Sequence, residues 1–178
     1  MTTEPQKRPK APLNGERLEQ LALHYAGRYA TSRAKLAAYL ARKVRERGWG
    51  EEKVPDIQAL VERFAALGYV DDAGFASMRA ASLTRRGYGA RRVEESLRAA
   101  GIEEPEREDA HQQVVQEKWR AAEAFARKRR IGPFATELAD RAMQQKQIAA
   151  FLRAGHDFDT ARRFVQAEPG HIPDGEVE

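Results

Sequence analysis

The sequence predicts an all-α protein made of three tandem groups of three helices. Apolar residues recur every three to four positions along most of the chain, and no stretch alternates like a strand. Val44, Leu97 and Phe151 each stand four positions before a glycine, namely Gly48, Gly101 and Gly155. These glycines are 53 and 54 residues apart, a period typical of stacked helical units. Ordinary helix ends show the same pattern, so a true repeat and simple C-caps both remain open.

The first three helices are predicted from their apolar stripes and from the glycines that end them. They span about residues 16–26, 32–47 and 54–67. Gly48 and Gly50 break the second helix, and Gly68 is the expected residue after the third. The inward-facing residues are Leu18, Leu21, Ala22 and Tyr25, then Leu36, Tyr39, Leu40 and Val44, then Ile57, Leu60, Val61, Phe64 and Leu67.

The next three helices are predicted at about residues 71–86, 90–100 and 106–117. The fourth begins at Asp71 or Asp72, because a carboxylate at this position caps the free amides and favours the helix dipole. Arg79 falls between Phe75 and Leu83 on the apolar face. We therefore expect it to be structural, with one of the two aspartates as its partner.

The last three helices are predicted from residue 118 to about 130, at 135–154 and at 159–167, with Ile131-Gly132-Pro133 as a firm break. Trp119 shares a face with Ala122 and Ala126, so a core position is expected. The sequence therefore predicts five segments: a disordered N-terminus at 1–12, three-helix units at 13–68, 69–117 and 118–167, and an acidic disordered tail at 168–178.

Composition narrows the class of function. The 178 residues include no cysteine, which excludes disulfides and thiolate metal sites. No apolar run is long enough for a signal peptide or a membrane span, so a cytoplasmic protein without membrane contact is expected. Residues 13–167 hold 28 basic and 22 acidic side chains, which favours an acidic or nucleic-acid partner.

Catalytic and metal sites are not predicted. The sequence has no phosphate-binding glycine loop, no nucleophile motif and no histidine spacing typical of metal ligands, so no enzymatic activity and no cofactor are expected. His156, Asp157 and Asp159 could hold a metal, but their place before a helix favours capping.

Basic residues away from the apolar faces are the candidate binding residues, because arginine and lysine bind phosphates and carboxylates. Tyr88 joins them because it lies between two glycines, in a loop expected to be flexible, and could stack on a base. The alternative is a solvated surface balanced by Glu94, Glu95 and Glu123. The candidates are Arg86, Tyr88, Arg91, Arg98, Arg120, Arg127, Lys128 and Arg130.

The residues from Gly68 to Ile102 resemble the RecX family, regulators of the RecA recombinase. The matching positions are Tyr69-Val70-Asp71-Asp72, Phe75-Ala76, Arg79, Arg86-Gly87, Gly89, Arg92-Val93, Leu97 and Gly101-Ile102. The resemblance covers about residues 18–167. In the first unit it includes Leu36, Leu40 and the helix end from Val44 to Gly48. In the third unit it includes Arg130-Ile131-Gly132-Pro133-Phe134 and Phe151-Leu152-Arg153. Three positions depart from it: Tyr88 and Ala90 replace an expected Lys and Pro, and His156 an expected aromatic residue.

The resemblance implies an elongated, curved array of three helix-turn-helix-like units that acts as a monomer. It also implies binding in the groove of the RecA filament on single-stranded DNA, with loss of filament growth, ATPase, strand exchange and coprotease activity. Non-specific contact with single- or double-stranded DNA is a further expectation. The alternative is a helix-turn-helix-like regulator that acts directly on DNA, although the short helices offer little Asn or Gln for base readout.

Overall fold

A computed structural model of the chain describes residues 11–173 and residue 175. Within these residues the protein is all-helical, with nine α-helices, one short 3₁₀ helix and no strand. The predicted fold class is therefore confirmed. The chain divides into two compact units, an N-terminal unit up to Asp71 and a C-terminal unit from Asp72 onward. No helix among the described residues is long and apolar enough to cross a membrane.

The N-terminal unit contains α1 (Gly15–Arg28), α2 (Arg33–Arg47) and α3 (Ile57–Ala66). Each helix begins where a polar side chain caps it. The side chains of Asn14, Ser32 and Asp56 each accept a hydrogen bond from the backbone N–H three residues further on, at 2.9–3.2 Å. These bonds satisfy amides that would otherwise lack partners, so the helix starts are determined locally.

The core of this unit is a single apolar cluster, to which all three helices contribute. Leu13, just before α1, is fully buried, and sequence periodicity did not identify it. Its backbone N–H donates to the carbonyl of Gly48 at 2.9 Å, and its carbonyl accepts from Gly50 at 2.8 Å. The buried members are Leu13, Leu18, Ala22, Leu36, Leu40, Val61, Phe64 and Val70.

The C-terminal unit contains α4 (Asp72–Arg85), α5 (Ala90–Ala99), α6 (Glu104–Gln116), α7 (Lys118–Arg129), the 3₁₀ helix Gly132–Phe134, α8 (Arg141–Arg153) and α9 (Phe158–Gln166). Its core consists of two apolar clusters. One joins α4, α5 and α6 through residues such as Phe75, Leu97 and Val114. The other joins α7, α8 and α9 through residues such as Phe151 and Phe164. Two groups of three helices are what tandem units predict, while the proposed boundaries at 69–117 and 118–167 stay predictions.

Two helices are shorter than predicted, for a local reason. The prediction of α3 from residue 54 is wrong because Asp56 caps the helix, which begins at Ile57. The prediction of α8 from residue 135 is wrong for the same reason. The side chain of Asp140 accepts from the amide of Met143 at 2.7 Å, so the helix begins at Arg141. Leu67, assigned to the inward face of α3, is 63% exposed because the helix has already ended.

Arg79 makes a structural contact, as predicted, but its expected place on the apolar face is wrong. Its side chain is exposed rather than placed on the apolar face of α4. Nε donates to Oγ of Ser96 on α5 at 3.0 Å, so the guanidinium links two helices through a hydroxyl group. Asp72, the first residue of α4, is buried, and its position in the first turn is the one that favours a carboxylate.

Glycine ends several helices by the same hydrogen bond. After Gly68, Gly87, Gly101 and Gly155, the next N–H donates to the carbonyl five residues before it, at 2.9–3.1 Å. Each of these glycines has a positive φ, which an L side chain rarely adopts. Gly68 and Gly87 do not belong to the set of glycines spaced 53 and 54 residues apart, yet they end their helices by the same hydrogen bond. This bond is therefore a general way of ending helices in the chain. The spacing of three glycines is therefore not, by itself, evidence of a repeat.

The segment after α9 is held against the C-terminal unit. Gly170 N–H donates to the carbonyl of Pro133 at 2.9 Å, and the Trp119 indole N–H donates to the carbonyl of Pro173 at 2.8 Å. The prediction of disorder is therefore wrong for residues 168–173, and most of the predicted disorder at 1–12 lies outside the described residues. Trp119 is half-buried and packs on Phe164, with 5.2 Å between ring centroids, as a core position requires.

Candidate anion-binding cleft

The loop between α4 and α5 crosses the loop between α8 and α9. Gly89 N–H donates to the carbonyl of Ala154 at 2.9 Å, and Arg91 N–H donates to the carbonyl of Gly155 at 3.2 Å. Nε2 of His156 lies 3.0 Å from the carbonyl oxygen of Gly87. These three bonds fix the ends of α4 and α8 next to each other.

Glycine is required at this crossing because the two backbones touch. A Cβ atom on Gly89 would lie 2.4 Å from the carbonyl carbon of Gly155, and one on Gly155 would lie 2.4 Å from the backbone nitrogen of Arg92. A Cβ on Gly87 would lie 2.8 Å from the backbone nitrogen of Phe125. The expectation of a flexible loop at residues 87–89 is therefore wrong, since the glycines serve close packing.

Tyr88 is held in place by the same crossing. Its side chain is half-buried and packs against both apolar clusters of the C-terminal unit. The prediction that it is an exposed loop residue is wrong. The glycines on either side allow the close approach of the backbone, so Tyr88 packs between the two clusters. Tyr88 nevertheless lines a surface cleft.

That cleft, called the cationic cleft below, has a volume of about 190 Å³. It opens where the C-terminal ends of α4, α7 and α8 meet. Four of the eight lining residues are positively charged and none is acidic. The lining residues are Arg86, Tyr88, Phe125, Lys128, Arg129, Ala150, Arg153 and Ala154.

Two of the cations lie over aromatic rings. The guanidinium carbon of Arg86 is 5.6 Å from the ring centroid of Tyr88, and that of Arg129 is 5.6 Å from the ring centroid of Phe125. At this distance the negative face of the ring attracts the cation. The rings therefore hold the two guanidinium groups at the cleft without neutralising them.

The charge of the cleft is only partly balanced by the protein. Among the described residues, no ion pair includes Arg86, Lys128, Arg129 or Arg153. Each helix C-terminus carries about half a negative charge, so three ends offset about 1.5 of the four positive charges. The remainder makes the cleft suited to a phosphate or a carboxylate group, which guanidinium groups bind well.

The structure brings three of the predicted binding residues together, namely Arg86, Tyr88 and Lys128. Three others contact groups of the chain outside the cleft lining. Nη2 of Arg91 donates to the carbonyl of Leu152 at 3.0 Å, and its Nε lies 3.7 Å from Glu95. Arg98 pairs with Glu94 at 3.1 Å, and Arg127 pairs with Glu123 at 2.7 Å.

The last two predicted residues lie on α7 and just after it. Arg120 is exposed on α7. Arg130 has a left-handed φ of 53°, as glycine does at other helix ends, and so lets Ile131 N–H reach the carbonyl of Ala126 at 3.0 Å. Neither residue lines the cationic cleft.

Two residues of the cleft, Arg129 and Arg153, were absent from the sequence-based candidates. A signal for Arg153 exists, since it stands two residues before the glycine that ends α8, much as Arg86 directly precedes Gly87. Arg129 lies in the basic run at the end of α7, but the order of the run alone does not show which members share a cleft.

His156 takes the place that the resemblance assigns to an aromatic residue. Its ring centroid lies 5.6 Å from that of Phe125 and 5.2 Å from that of Phe151. Asp157 is the N-cap of α9 and accepts from the Thr160 amide at 2.8 Å, so capping is confirmed as its role. Among the described residues there is no group of three His, Cys, Asp or Glu that could hold a metal.

His156 is expected to make the C-terminal unit less stable in mild acid. Burial lowers the pKa of His156 below its usual 6.5, and the bond to Gly87 and the charge of Asp157 only partly oppose this. The unfolded chain therefore binds the proton more readily than the native state. The stabilising contribution is complete above about pH 6.5 and is lost as the pH falls through the lower pKa of the folded state.

Urea denaturation of the wild type and of His156→Gln at neutral and mildly acidic pH measures this effect. The glutamine amide can still donate to the Gly87 carbonyl but does not titrate in this range. The free energy of unfolding should fall more in the wild type than in His156→Gln as the pH is lowered from about 8 to about 5. Equal falls would show that the other histidines and carboxylates cause the acid sensitivity.

Fold and cleft together define an all-helical protein with a concave cationic surface suited to an anionic partner. The chain is 34% identical over 176 residues to the regulatory protein RecX of Myxococcus xanthus (strain DK1622). The matched region covers 92% of this chain and 91% of that protein. The chain belongs to the RecX family of regulatory proteins, and the resemblance seen in the sequence is confirmed.

Solved structures agree with this assignment at the level of the fold. The crystal structure of RecX from Lactobacillus salivarius matches with a TM-score of 0.66 and 17% identity, over 85% of this chain and 94% of that one. A second crystal structure of regulatory protein RecX matches with a TM-score of 0.61 and 17% identity, over 82% of this chain and 68% of that one. No protein-family sequence model matches the chain.

Proposed function

We propose that this protein regulates the RecA recombinase by binding in the groove of the RecA filament on single-stranded DNA. Its main effect is inhibitory and extends to filament growth, ATPase, strand exchange and coprotease activity. Membership of the RecX family supports the regulatory role, and the cationic cleft is the observation that supports a binding site. In this role the protein acts in the cytoplasm as a monomer without enzymatic activity. The processes that it serves are homologous recombination, DNA repair and the SOS response.

The cationic cleft would bind acidic side chains of the filament. Its four positive charges come from three different helix ends, so the fold fixes their spacing. A carboxylate entering the cleft can accept charge-assisted hydrogen bonds from guanidinium groups that have no ion-pair partner among the described residues. Further weak contacts that the same molecule makes along the groove would add to these bonds and give a tight interaction through avidity.

The first test is the DNA-dependent ATPase of RecA on single-stranded DNA, with this protein titrated well below the RecA concentration. A strong loss of ATPase activity at substoichiometric levels is expected, because one bound molecule blocks growth or bridges protomers. No loss even at equal concentration would contradict the proposal.

A binding comparison separates this proposal from direct action on DNA. The affinity for RecA filaments should be well above the affinity for the same DNA without RecA. Equal affinities would contradict filament recognition, and a footprint at one defined sequence would favour the helix-turn-helix-like DNA-binding regulator instead.

A further inference from the structure

Three tyrosines form a cluster on the surface of the N-terminal unit, where α1 faces α2. Tyr25 on α1 stacks on Tyr39 of α2, with 4.1 Å between ring centroids and 16° between planes. Tyr29, directly after α1, lies against Tyr25 at 5.2 Å and 51°. The rings therefore run in a row across the two helices.

Tyr29, at one end of the row, has no evident structural role. Tyr25 and Tyr39 are half-buried and pack against the apolar cluster of the unit, so burial accounts for them. Tyr29 is 51% exposed and lies outside that cluster. A large ring held at the surface next to other rings is a platform on which a flat ligand can stack.

Positive charges surround the row of rings. The guanidinium carbon of Arg28 is 5.8 Å from the Tyr29 ring centroid, and that of Arg42 is 5.7 Å from the Tyr39 centroid. Nζ of Lys43 is 5.8 Å from the same Tyr39 centroid. Among the residues that the structure describes, one carboxylate pairs with these cations: Glu46 lies 2.7 Å from Lys43 and 3.9 Å from Arg42. Three cations against one anion leave this surface positive.

Rings and cations line one open depression of about 380 Å³. It is formed by His24, Tyr25, Tyr29, Tyr39, Arg42 and Lys43. The carboxylates of an acidic peptide would use the cations of this depression but not its rings. A strand of unpaired nucleotides uses both, because bases stack on aromatic rings while phosphates bind the neighbouring cations.

We propose that this surface, the tyrosine platform, binds single-stranded nucleic acid without sequence preference. Tyr29 supplies the exposed ring on which a base stacks, and Arg28 and Arg42 bind the flanking phosphates. The site belongs to the N-terminal unit and contains none of the residues of the cationic cleft. It would therefore give the expected non-specific contact with DNA a site of its own, separate from the cationic cleft.

The test measures the affinity of the full-length protein for a short fluorescent oligothymidylate by anisotropy, without RecA. Tyr29→Ala should weaken binding about tenfold, because one base loses its stacking partner. Tyr29→Trp should bind at least as tightly as the wild type, since a larger ring is retained. Tyr29→Leu should resemble Tyr29→Ala, because it keeps apolar surface but has no ring.

Tyr69→Ala is the matched control. Tyr69 lies in the same unit, is 52% exposed and also touches one aromatic ring, that of Phe64 at 5.4 Å. Its loss removes the same side chain from a surface outside the platform and should leave binding unchanged. An equal effect of Tyr29→Ala and Tyr69→Ala would overturn the proposal.

A second probe separates stacking from simple charge attraction. An abasic oligonucleotide of the same length keeps the phosphates but removes the bases, so it should bind about tenfold more weakly than oligothymidylate. Equal binding of the two probes would overturn the proposal and leave only a phosphate-binding surface. Arg42→Gln should lower the slope of log affinity against log salt by about one.

Discussion

Replacing Gly89 by alanine is expected to lower the free energy of unfolding of the C-terminal unit by about 3 kcal/mol. The backbone of Gly89 has φ −81° and ψ 173°, which alanine adopts freely, so no conformational strain is introduced. The cost comes from contact alone, because the new Cβ would lie 2.4 Å from the carbonyl carbon and oxygen of Gly155. Since both neighbours are backbone atoms held by hydrogen bonds, relief requires the two loops to separate.

Urea denaturation followed by tryptophan fluorescence measures this loss. Trp119 lies in the C-terminal unit and Trp49 in the N-terminal unit. In a Trp49→Phe background, the fluorescence of Trp119 reports the C-terminal unit by itself. Circular dichroism of the whole chain then shows whether the N-terminal unit unfolds at its usual urea concentration.

Gly170→Ala is the control that separates steric overlap from backbone strain. Gly170 lies in the same unit and has φ 84°, but a Cβ there would meet no atom within 4 Å. Its replacement should cost only about 1 kcal/mol, the penalty of a left-handed alanine. A Gly89→Ala variant no less stable than Gly170→Ala would show that the crossing of the two loops is not closely packed.

Reversing two charges of the cationic cleft is expected to raise the concentration needed for half-inhibition of the RecA ATPase at least tenfold. The variant is Lys128→Glu with Arg153→Glu, at the ends of α7 and α8. Both side chains are exposed and neither forms an ion pair among the described residues, so the fold should be retained. Two attractive contacts become repulsive ones, and like charges placed together at an interface cost several kcal/mol.

The matched control is Arg141→Glu with Lys146→Glu. Both residues are exposed on α8, and the change in net charge is the same, but neither residue lines the cleft. This pair should inhibit the ATPase nearly as well as the wild type. An equal loss in both double variants would mean that overall charge, rather than the cleft, governs recognition of the filament.

The helices of this protein follow from short-range features of its sequence. Ser32, Asp56, Asp140 and Asp157 each accept a bond from an amide three residues away, so each helix start is determined within one turn. Two of these caps were missed because proline, alanine and leucine nearby extend the apolar pattern beyond the true start. The correction shortened α3 and α8 without changing the fold class.

The binding surfaces depend on contacts between distant parts of the chain. Arg86, Lys128 and Arg153 are separated by tens of residues and meet only because three helices end at one place. Likewise, Tyr25 and Tyr39 were identified as inward-facing residues, but the sequence does not reveal that Tyr29 continues their row at the surface.

The sequence by itself therefore determined the all-α class, most helix ends and the family. Tertiary structure alone decided the role of Gly87 and Gly89, which were expected to give a flexible loop and instead allow two backbones to touch. The physical reason is the distance along the chain over which each kind of interaction acts. Caps and apolar periodicity act within a few residues, whereas the meeting of helix ends depends on packing across the whole unit, which no local pattern encodes.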